Sequence, residues 1–172
     1  MDEIVTCSEG IQSKVPGSSQ KVNLKSLEEL TVEDLLHCLL LQSANDAAVA
    51  LAEHVAGTTN AYGELMNQWA KKHGCTSTEF GNISGLDTAV SYTTARDMTR
   101  IMTEASKNTE FVRISGTIKY TVPATNMAEE RPLVTTNYMI DNTNIPQFLD
   151  TKVKAGLAST TDASGSSIAV MA

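Results

Sequence analysis

The sequence is poor in basic residues and in long apolar runs, and each shortage excludes a class of function. Lysine and arginine total 13 against 20 acidic residues, which gives a formal net charge of -7. Nucleic-acid binding needs a basic stripe that neutralises phosphates, so no nucleic acid is expected as a partner. No run approaches the roughly 20 apolar residues that span a bilayer. The first residues also lack the basic and apolar regions of a signal peptide, so neither a membrane segment nor a secretion signal is expected within this chain.

Cysteine and histidine are scarce as well, with three of each. The cysteines lie far apart, without a C-x-x-C pair and without a histidine at metal-ligand spacing. This pattern favours small buried apolar residues over a redox or metal role, so no metal and no cofactor is expected. Each histidine stands alone on a helical stretch, which favours packing or surface roles over catalysis. The residues concerned are Cys7, Cys38, Cys75, His37, His54 and His73.

A single domain over residues 1–172 is expected, because a second core would be thin at this length. Thr31 is predicted to cap a helix that has acidic residues in its first turn and an apolar run as far as Leu41. Residues 43–46 interrupt this helix, since serine, asparagine and aspartate prefer caps. An alanine-rich helix is predicted over 47–55, with Gly57 ending it. The remaining predicted helices span 59–73, 93–105 and 108–114.

Strands are predicted near both ends of the chain. The residues up to about position 25 indicate a short strand followed by a loop. β-Branched residues over 117–122 indicate a further strand, and the stretch 123–132 indicates a loop. Strands over 151–154 and 167–171 are predicted to flank a turn-rich segment at 159–165. The order predicts an α+β chain in which a helical cluster precedes a hairpin.

Several stretches of the sequence together match a known pattern. The longest runs from Leu30 to Val55, and it is followed by Gly85-Leu86-Asp87, Tyr92 to Met98, Thr136-Asn137 and Val153 to Gly156. In sequence and in order, these stretches resemble the serine D-alanyl-D-alanine carboxypeptidases of the low-molecular-weight penicillin-binding protein group, peptidase family S11. The resemblance implies a β-lactamase/transpeptidase-like fold, with the helical cluster against an antiparallel sheet that is incomplete here. The segment 81–87 departs from the family at Ile83-Ser84, where proline and histidine are common.

The family places three motifs around one cleft, namely S-x-x-K, S-x-N and K-T-G. Ser43-Ala44-Asn45 matches the S-x-N element and coincides with the predicted helix break. By resemblance, the Ser43 hydroxyl relays a proton toward the leaving group, and the Asn45 amide bonds the peptide backbone of the substrate. An amide suits that task because it carries both a donor and an acceptor.

Lys154-Ala155-Gly156 takes the place of K-T-G. The resemblance implies that Lys154 supplies a positive charge for a substrate with a free carboxylate, and that Gly156 lets the peptide approach the strand closely. Ala155 departs from the pattern, because the usual hydroxyl hydrogen-bonds the substrate carboxylate. Such a bond is worth roughly 1.5 to 3 kcal/mol, so its loss is expected to weaken turnover by one to two powers of ten.

The S-x-x-K motif has only one formal match, Ser18-Ser19-Gln20-Lys21. A nucleophilic serine must precede its lysine by one helical turn so that both side chains share a face. The match follows Pro16-Gly17 and has no helical periodicity after it, so it is rejected. In the family the true motif lies upstream of the segment that resembles residues 1–9. The chain is therefore expected to be a partial domain, truncated at both ends, without its nucleophile segment.

Two functions from different classes follow from the resemblance. The first is a serine-type carboxypeptidase that removes the terminal D-alanine of peptidoglycan stem peptides through an acyl-enzyme, with this chain alone inactive. The second is a catalytically dead module that binds peptidoglycan peptides ending in D-Ala-D-Ala. A purely helical domain with Ser43 and Asn45 as caps is less favoured, as is a β-lactamase. β-Lactams are expected to inhibit the parent protein, which is expected to be exported and membrane-anchored.

Overall fold

The structure is a computed structural model that describes residues 1–144 and 146–172. Its helices are α1 Val32–Gln42, α2 Asn45–Ala56, α3 Thr59–Lys72, α4 Ala95–Ala105 and α5 Thr109–Ser115, with short 3-10 turns at Ile11–Lys14 and Pro146–Phe148. Its strands are β1 Ile4–Thr6, β2 Glu29–Thr31, β3 Lys119–Val122, β4 Arg131–Val134, β5 Ala155–Thr161 and β6 Gly165–Met171. The predicted α+β class is confirmed, and among the described helices none is long and apolar enough to cross a membrane.

The core forms where α1 and α2 pack against the short strands. Thr31 caps α1 as predicted, because its Oγ1 accepts the Asp34 N–H at 3.0 Å. Leu35 and Leu41 on α1 are fully buried. They pack in the same cluster as Ala47 of α2, where alanine's small side chain lets two helices approach closely. The helices predicted from periodicity are thus confirmed, with ends that differ by one or two residues.

The strands form three separate antiparallel pairs among the described residues, β1 with β2, β3 with β4, and β5 with β6. Two strands were missed from the sequence. β2 has three residues and runs directly into the α1 cap, so no alternation is visible. The loop predicted over 123–132 is wrong at its end, because β4 begins at Arg131 and includes Pro132. Proline argues against a strand interior, yet it is tolerated where its missing N–H is not needed.

The C-terminal hairpin differs from its prediction in position. Residues 151–154 were predicted as a strand, but Thr151 and Lys152 form a turn and β5 begins at Ala155. Ser159 to Thr161 were predicted as part of a turn, yet they pair with residues 165–167 of β6. The loop therefore consists of residues 162–164 only. Serine and threonine favour turns locally, but the ladder of backbone hydrogen bonds decides their conformation here.

A buried ion pair joins the first strand pair to the second. Glu28 is fully buried, and its Oε1 lies 2.6 Å from a nitrogen of Arg131. Burial favours the neutral carboxyl, but hydrogen bonds from the Thr125 hydroxyl, the Lys25 N–H and Arg131 outweigh it and lower the pKa of Glu28. Asn126 adds a second link, because its side chain accepts the Glu29 N–H at 2.9 Å.

Candidate active site

Ser43 ends α1 in the left-handed conformation, with φ 52° and ψ 38°. This backbone position turns the chain sharply, so that α2 begins two residues later. The Ser43 side chain is partly exposed, and in the described part of the chain its hydroxyl has no hydrogen-bond partner. A hydroxyl that is held at a fixed helix end and is free of internal bonds is available to a ligand.

Asn45 is the first residue of α2 and is 6% exposed. Its Nδ2 donates to the Gln20 carbonyl at 2.9 Å and to the Ser43 carbonyl at 3.3 Å. Two carbonyl acceptors fix which end of the amide is nitrogen, so the orientation follows from the bonding network. The Oδ1 has no partner among the described residues, so the amide is left with an acceptor to offer a ligand.

Asp46 is a residue of this region that the sequence analysis did not single out. It is 1% exposed, and its carboxylate accepts the Val22 N–H at 3.1 Å and the Leu24 N–H at 2.9 Å. Together with the Asn45 bonds to Gln20, these contacts fasten the segment 20–24 to the start of α2. A buried carboxylate needs such donors, and its position at a helix N-terminus is also favourable.

The formal S-x-x-K match lies in the loop before this segment. Gly17 and Ser18 form a turn, and the Ser19 hydroxyl donates to the Pro16 carbonyl at 2.7 Å. Ser18 and Lys21 therefore do not share a helical face. This geometry agrees with the rejection of the match, although the location of the nucleophile stays a prediction.

Lys154 stands directly before β5 and is exposed. Its N–H donates to the Met171 carbonyl at 2.8 Å, and its Nζ donates to the Thr151 carbonyl at 3.1 Å. Ala155 next to it is fully buried, with its methyl group toward Gly116 at the end of α5. A Cβ on Gly116 would lie 2.6 Å from the Lys154 carbonyl oxygen, so a glycine there is what lets α5 sit against the lysine.

Gly156 has a φ of 153°, which side chains rarely adopt. A Cβ at this position would lie 2.5 Å from the Ala169 carbonyl oxygen and 2.7 Å from the Val170 Cα. The strand pair itself thus requires glycine here. This reason was not visible from the sequence, where the same residue suggested the approach of a substrate peptide.

The S-x-N and K-T-G-like elements are linked through the same part of the structure. Among the described residues, Lys154 makes no hydrogen bond to Ser43 or Asn45. Helix α5 packs against both α1 and β5. The residues after it continue the link, because the Ile118 carbonyl accepts the Thr135 N–H at 2.9 Å and the Leu41 carbonyl accepts the Thr136 N–H at 3.0 Å. The positions of Ser43 and Lys154 therefore both depend on the segment from α5 to Thr136.

A cavity of about 200 Å³ lies beside Asn45. Apolar side chains of Val15, Val49, Ile83 and Leu86 line it, together with polar side chains that include Asn45. Ser43 and Lys154 are not part of its lining. The lining is mixed, since Lys14, Thr59, Asn60, Asn82 and Ser84 also contribute to it, and the volume lies below the roughly 300 to 1,000 Å³ that is usual for a ligand pocket.

The cysteines and His37 occupy packing positions, whereas His54 is exposed. All three thiols are free and buried, as predicted, and burial raises the pKa of Cys7 and of Cys38 to about 12. The His37 ring stacks on Tyr120 at 3.6 Å between centroids, and the Tyr120 hydroxyl donates to Asp34 at 2.7 Å. Burial raises the pKa of Tyr120, and the Asp34 carboxylate reinforces the shift. In the residues that the structure describes, no three His, Cys, Asp or Glu side chains are grouped so as to hold a metal ion.

Solved structures place this architecture in a known class. The crystal structure of a D-alanyl-D-alanine carboxypeptidase from Mycobacterium tuberculosis H37Rv matches with a TM-score of 0.81 at 25% identity, over 97% of this chain and 59% of that chain. Penicillin binding protein 6B from Escherichia coli matches with a TM-score of 0.79 at 25% identity, over 99% of this chain and 52% of that one. The fold is therefore that of the penicillin-binding enzymes.

Sequence comparison narrows the class to a family. A family model described as D-alanyl-D-alanine carboxypeptidase matches residues 1–171, and the chain belongs to this family. The carboxypeptidase DacC of Escherichia coli K12 is 45% identical over 44% of this chain and 19% of its own length. The D-alanyl-D-alanine endopeptidase of the same strain is 31% identical over 77% of this chain and 42% of its own length. The chain thus spans less than half the length of these two relatives.

Proposed function

We propose that this chain forms part of a serine-type D-Ala-D-Ala carboxypeptidase and supplies Ser43, Asn45 and Lys154 to its active site. The single observation that carries the proposal is the paired placement of Ser43 and Asn45 at the α1–α2 turn, with a free hydroxyl and a free amide oxygen in the described residues. Family membership supplies the reaction class. The substrate is a peptidoglycan stem peptide that ends in D-Ala-D-Ala.

Each of the three residues has its own chemical role. The exposed ammonium of Lys154 attracts the terminal carboxylate of the peptide, and a charge-assisted hydrogen bond fixes its direction. The Asn45 Oδ1 accepts a peptide N–H. The Ser43 hydroxyl passes a proton to the amine of the departing D-alanine, while the serine nucleophile becomes acylated and water later releases the acyl group.

The nucleophile and its lysine base are the parts that these residues do not provide. Ser18-Ser19-Gln20-Lys21 is the one S-x-x-K in the sequence, and it lies in a turn. We therefore propose that the 172 residues alone bind the peptide but do not turn it over, since hydrogen-bond donors cannot replace a nucleophile. β-Lactams acylate the same serine in the parent protein, which acts outside the cytoplasmic membrane, where peptidoglycan lies.

A fluorescent penicillin tests the missing nucleophile. The chain is incubated with the reagent, separated on a denaturing gel, and its intact mass is measured. No covalent adduct is expected. A stable adduct mapped to Ser18 or to any other serine would make the chain an active minimal enzyme and would overturn the proposal.

Peptide binding is tested separately by nuclear magnetic resonance titration with an N-acylated tripeptide ending in D-Ala-D-Ala. Lys154→Ala is expected to weaken the affinity about tenfold, because one charge-assisted hydrogen bond is lost. Lys152→Ala is the matched control, since Lys152 is an exposed lysine in the adjacent turn. Equal affinity in both variants would remove Lys154 from the proposed site.

The second candidate is a module that binds such peptides in a protein without turnover, and Ala155 is the residue that favours it. The hydroxyl that the family motif usually carries is absent there. Joining the chain to an S-x-x-K helix from a family relative separates the two candidates. Acylation by penicillin in that fusion supports the carboxypeptidase, whereas peptide binding without acylation supports the module.

A further inference from the structure

Asp87 links two parts of the molecule that are far apart in sequence. Its Oδ1 accepts the Thr161 hydroxyl at 2.7 Å, and its Oδ2 accepts the Ala163 N–H at 3.2 Å. Thr161 ends β5, and Ala163 lies in the turn before β6. Both oxygens of one carboxylate are thus used to hold the tip of the hairpin whose other end carries Lys154.

The segment that ends at Asp87 is itself fixed to the helices. The Asn67 side chain on α3 accepts the Phe80 N–H at 2.7 Å and donates to the Phe80 carbonyl at 3.0 Å. Within the loop, the Asn82 Oδ1 accepts the N–H groups of Ser84 and Gly85. The loop is therefore ordered by its own bonds and anchored on α3. Its residues 81–84 and 86 also line the cavity beside Asn45.

The hairpin tip has little else to hold it. Residues 162–168 are exposed, while β5 packs on α5 and β6 packs on α4. From Lys154 to Thr161 the strand advances roughly 23 Å at 3.3 Å per residue. A paired strand is stiff over such a length, so fixing its tip also fixes the direction of its first residues.

We infer that Asp87 is a positioning residue that aligns β5, and with it Lys154, to the loop that borders the Asn45 cavity. The inference deepens the proposed function, on which its binding part rests. Asp87 joins the cavity loop and the hairpin, so it sets the relative placement of the acceptor at Asn45 and the cation at Lys154. It does this through the hairpin and without touching a substrate.

Amide hydrogen exchange and nitrogen–proton spectra of the complete chain test this inference. In Asp87→Ala, the Ala163 amide is expected to exchange about tenfold faster, because it loses a charged acceptor. The Lys154 and Gly156 amide resonances are expected to shift, although they lie far from the substitution. Asp87→Asn keeps one acceptor oxygen and is expected to restore part of both effects. Asp162→Ala is the matched control, since its carboxylate makes no hydrogen bond to the described residues and lies in the same turn.

The outcomes separate this inference from the proposed function. Faster Ala163 exchange with unchanged Lys154 and Gly156 resonances would reduce Asp87 to a local contact and overturn the inference. Unchanged Ala163 exchange would overturn it as well. In the peptide titration, Asp87→Ala is expected to weaken affinity about threefold with the thermal midpoint unchanged. A wild-type chain that binds no peptide contradicts the proposed function, whereas the resonance shifts still decide the role of Asp87.

Discussion

The turn that carries Ser43 and the hairpin that carries Lys154 are packed to different degrees. On the first side, Leu41 and Ala47 flank the turn and are fully buried. On the second side, Val153 and Ala155 beside Lys154 are buried, but no residue of β6 is buried, and Ile168 is 53% exposed. Elements with few buried apolar contacts open at lower free energy than the core. The difference teaches that one half of the candidate site is preorganised by the core, whereas the other depends on strand pairing and on a few external contacts.

The largest effect is expected at the Glu28–Arg131 ion pair, which lies outside the hairpin. Glu28→Ala leaves the largely buried Arg131 charge without its partner, and the free energy of unfolding is expected to fall by about 4 kcal/mol. Urea denaturation measures this loss. Glu29→Ala is the matched control, because its side chain is exposed and its loss is expected to cost less than about 0.5 kcal/mol. Equal losses in the two variants would contradict the assignment of stability to this pair.

A pair of truncations tests the comparison directly. Leu41→Ala removes a fully buried side chain, and the expected loss of unfolding free energy is about 3 kcal/mol. Ile168→Ala removes an apolar side chain of similar size from β6, with an expected loss of less than about 0.5 kcal/mol. Both are measured by urea denaturation. A large loss for Ile168→Ala would show that the hairpin is part of the cooperative core, and the comparison would fail.

A substitution confined to the hairpin is expected to change local opening more than global stability. Gly156→Ala forces a Cβ against the backbone of β6, which is expected to cost about 2 kcal/mol in the free energy of hairpin opening. Hydrogen exchange of the β5 and β6 amides measures the change. Gly17→Ala serves as the control, because a Cβ there meets no atom within 4 Å. Unchanged exchange in Gly156→Ala would mean that β5 can shift to accept the side chain.

The smallest effect is expected from a change of pH. It acts on Asp141, in the segment between β4 and β5. Hydrogen bonds from the Thr143 side chain and backbone, helped by Asn144, lower the pKa of Asp141 to about 2. A lowered carboxyl pKa contributes stability above the unfolded value of about 3.9, and this contribution is lost as pH falls toward 2. The Thr143 amide resonance is therefore expected to titrate near pH 2. Asp141→Asn should flatten the acid slope of the thermal midpoint, and an unchanged slope would contradict this role of Asp141.

The helices were predicted better than the strands, because the signals that define a helix lie close together in the sequence. Caps such as Thr31 and Gly57 act within one turn of the chain, so the neighbouring residues contain the signal. The position of β5 depends on pairing with β6, and the Ser159 to Thr161 stretch looks like a turn when it is read alone. Periodicity also cannot reveal β2, which is only three residues long.

The candidate site was only partly predictable for the same reason. Ser43, Asn45 and Lys154 were identified because they occur in short motifs, and their roles stay predictions. The contacts that hold them are distant in sequence, such as the bonds from Asp46 to the segment 22–24 and from Asp87 to Ala163. The requirement for glycine at positions 116 and 156 arises from neighbouring backbone atoms that no local pattern contains.

The left-handed backbone of Ser43 has a consequence for engineering. Glycine adopts this conformation without steric cost, whereas a residue with a Cβ loses roughly 1 kcal/mol there. A selection for thermal stability alone would therefore favour Ser43→Gly, and the variant would gain stability while losing the hydroxyl that the site offers. Designers who seek a more stable chain should hold position 43 constant, because a stability score ranks this candidate site residue as a defect.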